Sequence, residues 1–227
     1  LSKKTIEKCI HESLIRMNTD YIDYYGVTHD PNTNLDEILQ VMDRFQKEGK
    51  IIKVACNNYD LSLLKSSKKI QEIENFSKFG LLETVYNVLY RGAEKDLINY
   101  CDLENIDILS YSPLGAGFIT GKYKNGLVSP KKTRFDIKPT HKDIYFKDDF
   151  FETMNKLEKL SNETNLSLVD LALSWVLSRD FLSNVLIGVR DISHIMKPIK
   201  ILENPIDETI LNEINKITKN NLELINP

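Results

Sequence analysis

Four short β-rich runs recur along this chain at nearly constant intervals, and that period limits the available folds more than any other feature. The runs begin at Tyr21, Ile51, Leu81 and Asp107, so the spacings are 30, 30 and 26 residues. Helical patterns lie between them. Ile6, Cys9, Ile10, Leu14 and Met17 share one face of a first helix capped by Ser2. Leu35, Ile38, Met42 and Phe45 share one face of a second, capped by Thr33 or Asn34 and ended by Gly49. Further helices are expected over 61–73 and 93–104. A β-then-α period of this length is the signature of parallel strands joined by crossover helices.

Beyond Tyr111 the pattern changes. Ser112-Pro113 stops the fourth strand, and a long loop over 115–148 is expected, carrying Pro130 and Pro139. Helices follow over 150–160 and 168–177, the second opening with a capping box of Ser167 and Asp170. A fifth strand over 184–188 enters a helix near Ile192, and a last amphipathic helix covers 208–217. Five parallel strands fit an open doubly wound sheet or part of a barrel. No G-x-G-x-x-G fingerprint follows any strand, which favours an α/β protein of the TIM (β/α)8 barrel class. Five strands cannot close such a barrel.

A chain of 227 residues makes one large domain or two small ones. The net charge of −3 argues against a nucleic-acid partner, and no run of 18 apolar residues points to membrane insertion. With no signal-peptide pattern, a cytoplasmic location is the expectation. Cys9, Cys56 and Cys101 are odd in number and far apart, so they read as reduced, semi-buried thiols rather than a disulfide frame or a metal site. The first residue is Leu1 rather than methionine, which suggests that something precedes it.

In a barrel, chemistry sits at the C-terminal strand ends. These are Thr28-His29, Asn57-Asn58, Glu83 to Tyr86, Tyr111-Ser112 and Gly188 to Arg190. His29 can act as a general acid or hydrogen-bond donor, or be a solvated loop histidine beside Asp30-Pro31. Asn57-Asn58 offers paired amides that read another amide in both senses, or simply a turn. Tyr111 can stack on a flat ring or serve the core. Gly115, Gly117 and Gly121, closed by Lys122, let backbone approach a ligand and suit a phosphate; a flexible loop explains the same letters. Arg190, ahead of a helix, is placed as a phosphate clamp or a surface ion pair.

Taken together, these segments resemble the aldo-keto reductase superfamily, the NADP(H)-dependent (β/α)8 barrels, near the branch of voltage-gated potassium channel β subunits. The matching text is Asp20-Tyr-Ile-Asp23 after Ser13-Leu-Ile-Arg16, and Lys47-Glu-Gly-Lys50-Ile before a strand. Tyr86-Asn87-Val-Leu-Tyr-Arg91, the segment Tyr111 to Tyr123, Leu171-Ala172-Leu-Ser-Trp175-Val and Leu186-Ile-Gly188 extend it over essentially the whole chain. The resemblance implies one partial barrel domain over residues 1–227, with Leu1 in the helix before the fourth strand and the chain covering strands 4 to 8. The family's catalytic Asp, Tyr and Lys come from the first three strands, so they lie outside it. The family's histidine position falls on Thr28, with His29 one residue later.

For the cofactor, NADP(H), the resemblance implies that the Ser-Asn pair on the nicotinamide carboxamide falls on Asn57 and Asn58, and the family's Gln on Glu83. Tyr111 matches the ring-stacking position, while Ser112, Leu114 and the following loop match the pyrophosphate segment, with Lys122 and Arg134 as phosphate or loop-closing contacts. Gly188 and Arg190 match the 2′-phosphate end, and His194, Lys197 and Pro198 occupy the adenine-end positions. Proline has no side-chain hydrogen bond to give adenine, and Lys197 would add positive charge near the phosphate. The implied function, when the barrel is complete, is an oxidoreductase reducing aldehyde or ketone carbonyls, with a small carbonyl substrate as partner and homo-oligomerisation left open. The competing reading is a non-catalytic NADP(H)-binding regulatory homologue or an inactive truncated form. Residues 1–227 alone are expected not to reduce a carbonyl.

Overall fold

Residues 2–123 and 131–223 are described by a computed structural model. Two compact units divide the chain: Leu1–Thr84 with Asp96–Leu109, and Val85–Lys95 with Ser110–Pro227.

In the first unit, helix α1 (Lys3–Met17) starts where Ser2 Oγ accepts from Thr5 N, and ends at Asn18 in the left-handed region. Its buried stripe is Ile6, Ile10 and Leu14, narrower than the sequence suggested. Cys9 is exposed and Met17 is 52% exposed, because a spacing of four from Ile6 leaves Cys9 at the stripe's edge and Met17 in the last turn. Strand β1 (Ile22–Thr28) leads to α2 (Leu35–Lys47), capped by Asn34. Then come β2 (Ile51–Asn57), α3 (Leu61–Ile73) and β3 (Phe79–Val85). Ile38, Met42, Phe45, Ile51, Cys56 and Leu82 are at most 1% exposed, each apolar side chain contributing about 1.5–3 kcal/mol by burial. Cys56 and Cys101 are therefore core thiols rather than semi-buried ones, and burial pushes both up, Cys101 to about 12.

Where one helix was expected over 93–104, the chain makes a 3-10 turn at Gly92–Glu94 and then α4 (Leu97–Leu103). The break follows from Arg91 and Glu94, which are drawn into a buried ion pair with Arg91 Nε 2.6 Å from Glu94 Oε1. Strand β4 (Asp107–Tyr111) follows.

Residues 124–130 of the expected loop lie outside the described residues; around them the second unit forms short helical turns, a 3-10 turn at Gly115–Thr120, α5 (Arg134–Ile137), a 3-10 turn at Pro139–His141, and α6 (Lys142–Tyr145). Aromatic packing orders them. Phe118 lies 5.1 Å from Phe151 and 5.5 Å from Phe146, and Phe135 lies 4.8 Å from Tyr123. Such pairs add about 0.5–1.5 kcal/mol each beyond burial. Helix α7 (Asp148–Thr164) starts two residues earlier and ends four residues later than predicted, and α8 (Leu168–Leu177) opens on the Ser167/Asp170 capping box. Strand β5 shrinks to Asn184–Val185, although Leu186 N still donates to Ser110 O at 2.7 Å. Helices α9 (Ser193–Glu203) and α10 (Glu208–Ile217) and a 3-10 turn at Lys219–Glu223 complete the described chain.

The strands are hydrogen-bonded in the order β1-β2-β3-β4-β5, with β1–β2 and β2–β3 parallel. No helix among the described residues is long and apolar enough to cross a membrane.

Candidate functional site

Register places three of the candidate residues of the first unit in one row. Thr28 pairs with Asn57 across β1 and β2, and Asn57 with Glu83 across β2 and β3. In-register residues of parallel strands project to the same face, so the three side chains share one face at the C-terminal strand ends. His29 follows Thr28, half-buried, its ring edge-on to Tyr59 at 6.3 Å. Asn58 takes a left-handed φ of 56°, which asparagine tolerates, and its N–H donates to Glu83 O at 2.8 Å.

Asn57 carries the clearest chemical signal of this row. Its Oδ1 is buried and has no hydrogen-bond partner among the described residues. A buried acceptor left unmatched costs about 1–3 kcal/mol. Gly26 makes its position available: a Cβ there would stand 2.2 Å from Asn57 Oδ1.

Burial holds the Glu83 carboxyl above its usual range. A carboxyl whose folded pKa exceeds its unfolded value loses stability as pH rises through the interval between the two. The Glu83→Gln variant is therefore expected to melt higher than the unmodified protein at pH 7, with the difference vanishing once pH falls below the ordinary glutamate range. Thermal melts at several pH values check this; an equal difference at acid and neutral pH would refute it.

In the second unit, Tyr111 and Ser112, both half-buried, end β4. From there the backbone visits the left-handed region five times in ten residues: Ser112 (φ 55°), Gly115 (54°), Ala116 (55°), Gly117 (92°) and Gly121 (78°). The turns are closed by Gly115 N to Ser112 O and Gly117 N to Leu114 O, both 2.9 Å. Gly115, Ala116 and Gly117 are left-handed in succession, and the N–H groups of Gly115, Gly117, Ile119 and Gly121 donate to carbonyls within the segment. Lys122 folds back along this segment. Its Nζ is 3.4 Å from where a Gly117 Cβ would stand and 5.3 Å from the Tyr123 ring centroid.

Arg190 is tied down at two points. Its Nη1 donates to Lys132 O at 3.1 Å, and its backbone N–H donates to His194 Nδ1 at 3.2 Å. Gly188 is exposed, with no atom within 4 Å of a Cβ position. Arg134 opens α5 with an exposed side chain. Lys197 does not present the free charge expected of it: its Nζ lies 2.8 Å from Asp170 Oδ1, so the capping-box carboxylate neutralises it. Pro198 is buried within α9.

A model of the aldo/keto reductase family matches residues 1–219. The chain belongs to the aldo/keto reductase family. It is 24% identical to Protein tas of Escherichia coli (strain K12) over 243 residues, an alignment covering 96% of this chain and 67% of that protein. It is 26% identical to the uncharacterized oxidoreductase YrpG of Bacillus subtilis (strain 168), covering 96% and 64%. With L-glyceraldehyde 3-phosphate reductase of Escherichia coli (strain K12) the identity is 24%, covering 89% and 60%. This aldo/keto reductase thus spans about two thirds of the length of these relatives, or less. The solved glycerol dehydrogenase AKR11B4 from Gluconobacter oxydans superposes with a TM-score of 0.75 at 21% identity, covering all of this chain and 66% of that one, which shows a shared fold of the TIM-barrel type.

Sequence reasoning on this aldo/keto reductase missed Asn87, which is fully buried, and Tyr145, whose hydroxyl reaches the Ser112 and Asn87 side chains. The available signal was one amide inside the otherwise apolar and aromatic run from Val85 to Tyr90.

Proposed function

We propose that this chain belongs to an NADP(H)-dependent oxidoreductase acting on aldehyde or ketone carbonyls, and that its five strands correspond to the fourth to eighth of the family barrel, in one domain. The observation that carries the reading is the left-handed run from Ser112 to Gly121, in a chain matched to the family over residues 1–219. A relative named L-glyceraldehyde 3-phosphate reductase supports a small carbonyl compound as substrate.

The residues present fit the cofactor. In the first unit, the unmatched Asn57 Oδ1 would accept from a carboxamide N–H, with Asn58 and Glu83 beside it. In the second, Tyr111 would stack on the nicotinamide ring, while Ser112, Leu114 and Lys122 would face the pyrophosphate and Arg134 would close over it. Gly188, Arg190 and His194 would take the 2′-phosphate and adenine end. When bound, the reduced nicotinamide supplies a hydride for the carbonyl carbon. The Thr28 hydroxyl or the His29 ring donates a hydrogen bond that orients the carbonyl oxygen; threonine carries no charge, so it positions this oxygen without protonating it.

The test is a fluorescence titration of this polypeptide with NADPH and, for comparison, NADH. NADPH is expected to bind at least about tenfold more tightly, a difference of about 1.4 kcal/mol from the 2′-phosphate contacts. Equal affinities would remove Arg190 and His194 from that role, and absence of saturable binding would sink the cofactor reading.

A further inference from the structure

Ser112 is a strained position that its own sequence does not explain. A left-handed φ costs a non-glycine residue about 1–2 kcal/mol, and such residues persist only where the surroundings over-determine them. Ser112 (φ 55°) is the first left-handed residue of the segment that runs to Gly121.

Asn87 supplies the constraint. Its side chain is fully buried and uses its amide in both senses. Oδ1 accepts from Leu89 N at 2.9 Å and Tyr90 N at 3.1 Å, which shapes the turn that follows β3. Nδ2 donates to Ser112 O at 2.9 Å. The hydroxyl of Tyr145 reaches the side chains of both Asn87 and Ser112, and its ring edge stands 3.0 Å from a Gly115 Cβ position. The kinked strand end is thereby clamped from two directions within one unit.

We propose that Asn87 is a positioning residue for the backbone of Ser112–Gly121, its amide donor holding the Ser112 carbonyl so that the turns beyond it keep the shape that receives an anionic ligand. The role of that ligand as the cofactor pyrophosphate rests on the function proposed above. No other neutral side chain of this size offers one donor to Ser112 and an acceptor to two backbone N–H groups at once.

The decisive variant is Asn87→Asp, which keeps the acceptor for Leu89 and Tyr90 but sets a carboxylate against the Ser112 carbonyl. Tyr145→Phe, which removes only a hydroxyl, is the milder companion and guards against a variant that fails to fold. Two readouts are taken relative to the unmodified protein: amide hydrogen exchange of residues 112–121 without ligand, and calorimetric binding of NADP+ and of 2′-AMP. At about pH 8, N87D is expected to exchange faster over 112–121 and to weaken NADP+ by about tenfold or more, while 2′-AMP, which lacks the pyrophosphate, binds within about twofold. Y145F is expected to shift both readouts in the same direction by less.

Unchanged exchange over 112–121 in N87D would overturn the positioning role, and so would equal weakening of NADP+ and 2′-AMP, which marks a general loss of structure. If the unmodified protein fails to bind NADP+, the cofactor reading falls by itself. Faster exchange in N87D then still upholds the clamp, and unchanged exchange rejects it.

Discussion

Replacing Arg91 with alanine is expected to destabilise the second unit by about 3–5 kcal/mol, the cost of breaking a buried ion pair from one side. Arg91 is 6% exposed and its guanidinium makes four hydrogen bonds. Nε and Nη2 hold the Glu94 carboxylate at 2.6 and 2.7 Å, and Nη1 donates to Thr218 Oγ1 at 2.7 Å and Asn215 O at 3.1 Å. The same guanidinium lies 5.0 Å over the Trp175 ring, whose Nε1 donates to Asn215 Oδ1 at 2.8 Å. Removing it leaves the Glu94 charge to the Tyr86 hydroxyl, 2.7 Å away, and frees the contacts to the C-terminal turn. Urea unfolding followed by emission of Trp175, the one tryptophan of the chain, reads this directly. Lysine at 91 is expected to recover little, since it keeps the charge but not the planar fork. A loss below about 1 kcal/mol in R91A would show that the network is peripheral to stability.

Gly26→Ala is expected to cost about 1 kcal/mol of stability but to weaken NADPH by about tenfold or more, an asymmetry that follows from what the new methyl meets. The atoms within its reach are Asn57 Oδ1 at 2.2 Å, Cγ at 3.1 Å and Nδ2 at 3.3 Å, all at the end of one side chain. The backbone therefore stays and the amide swings away. Asn57→Ala alone is expected to weaken NADPH to a similar degree. In that background G26A should add almost nothing, because the group it displaces is gone. A double-mutant cycle tests this, and additive losses would mean that Gly26 acts on the strand rather than through Asn57.

The elements most legible in the sequence were those whose patterns close locally. The bounds of α3, β4, α8 and α10 were read as observed. Each is framed by a nearby signal, such as the Ser167/Asp170 capping box or the Ser112-Pro113 stop. The errors lie where distant residues intervene. The helix expected over 93–104 was broken because Glu94 turns back to Arg91 and Tyr86. The loop expected over 115–148 gained short helices because Phe118, Tyr123, Phe135, Tyr145 and Phe146 pack on one another. The left-handed segment over 112–121 was visible in its glycines, yet two of its left-handed residues are Ser112 and Ala116, which no propensity would place there.

By itself, the sequence determined the β-then-α period, the helix faces and caps, and the resemblance that the family match confirms, because each rests on spacing along the chain. It also nominated Asn57, Glu83 and Ser112 as residues to examine. Only the tertiary structure decided which partners those residues meet. It left Asn57 Oδ1 buried against Gly26 without a donor among the described residues, placed Asn87 Nδ2 on the Ser112 carbonyl, and brought Asp170 to Lys197. Each of these contacts joins residues 25 or more positions apart in the chain. A hydrogen bond or ion pair forms only within a few ångströms, so contacts like these exist only once packing has brought the strands and helices together.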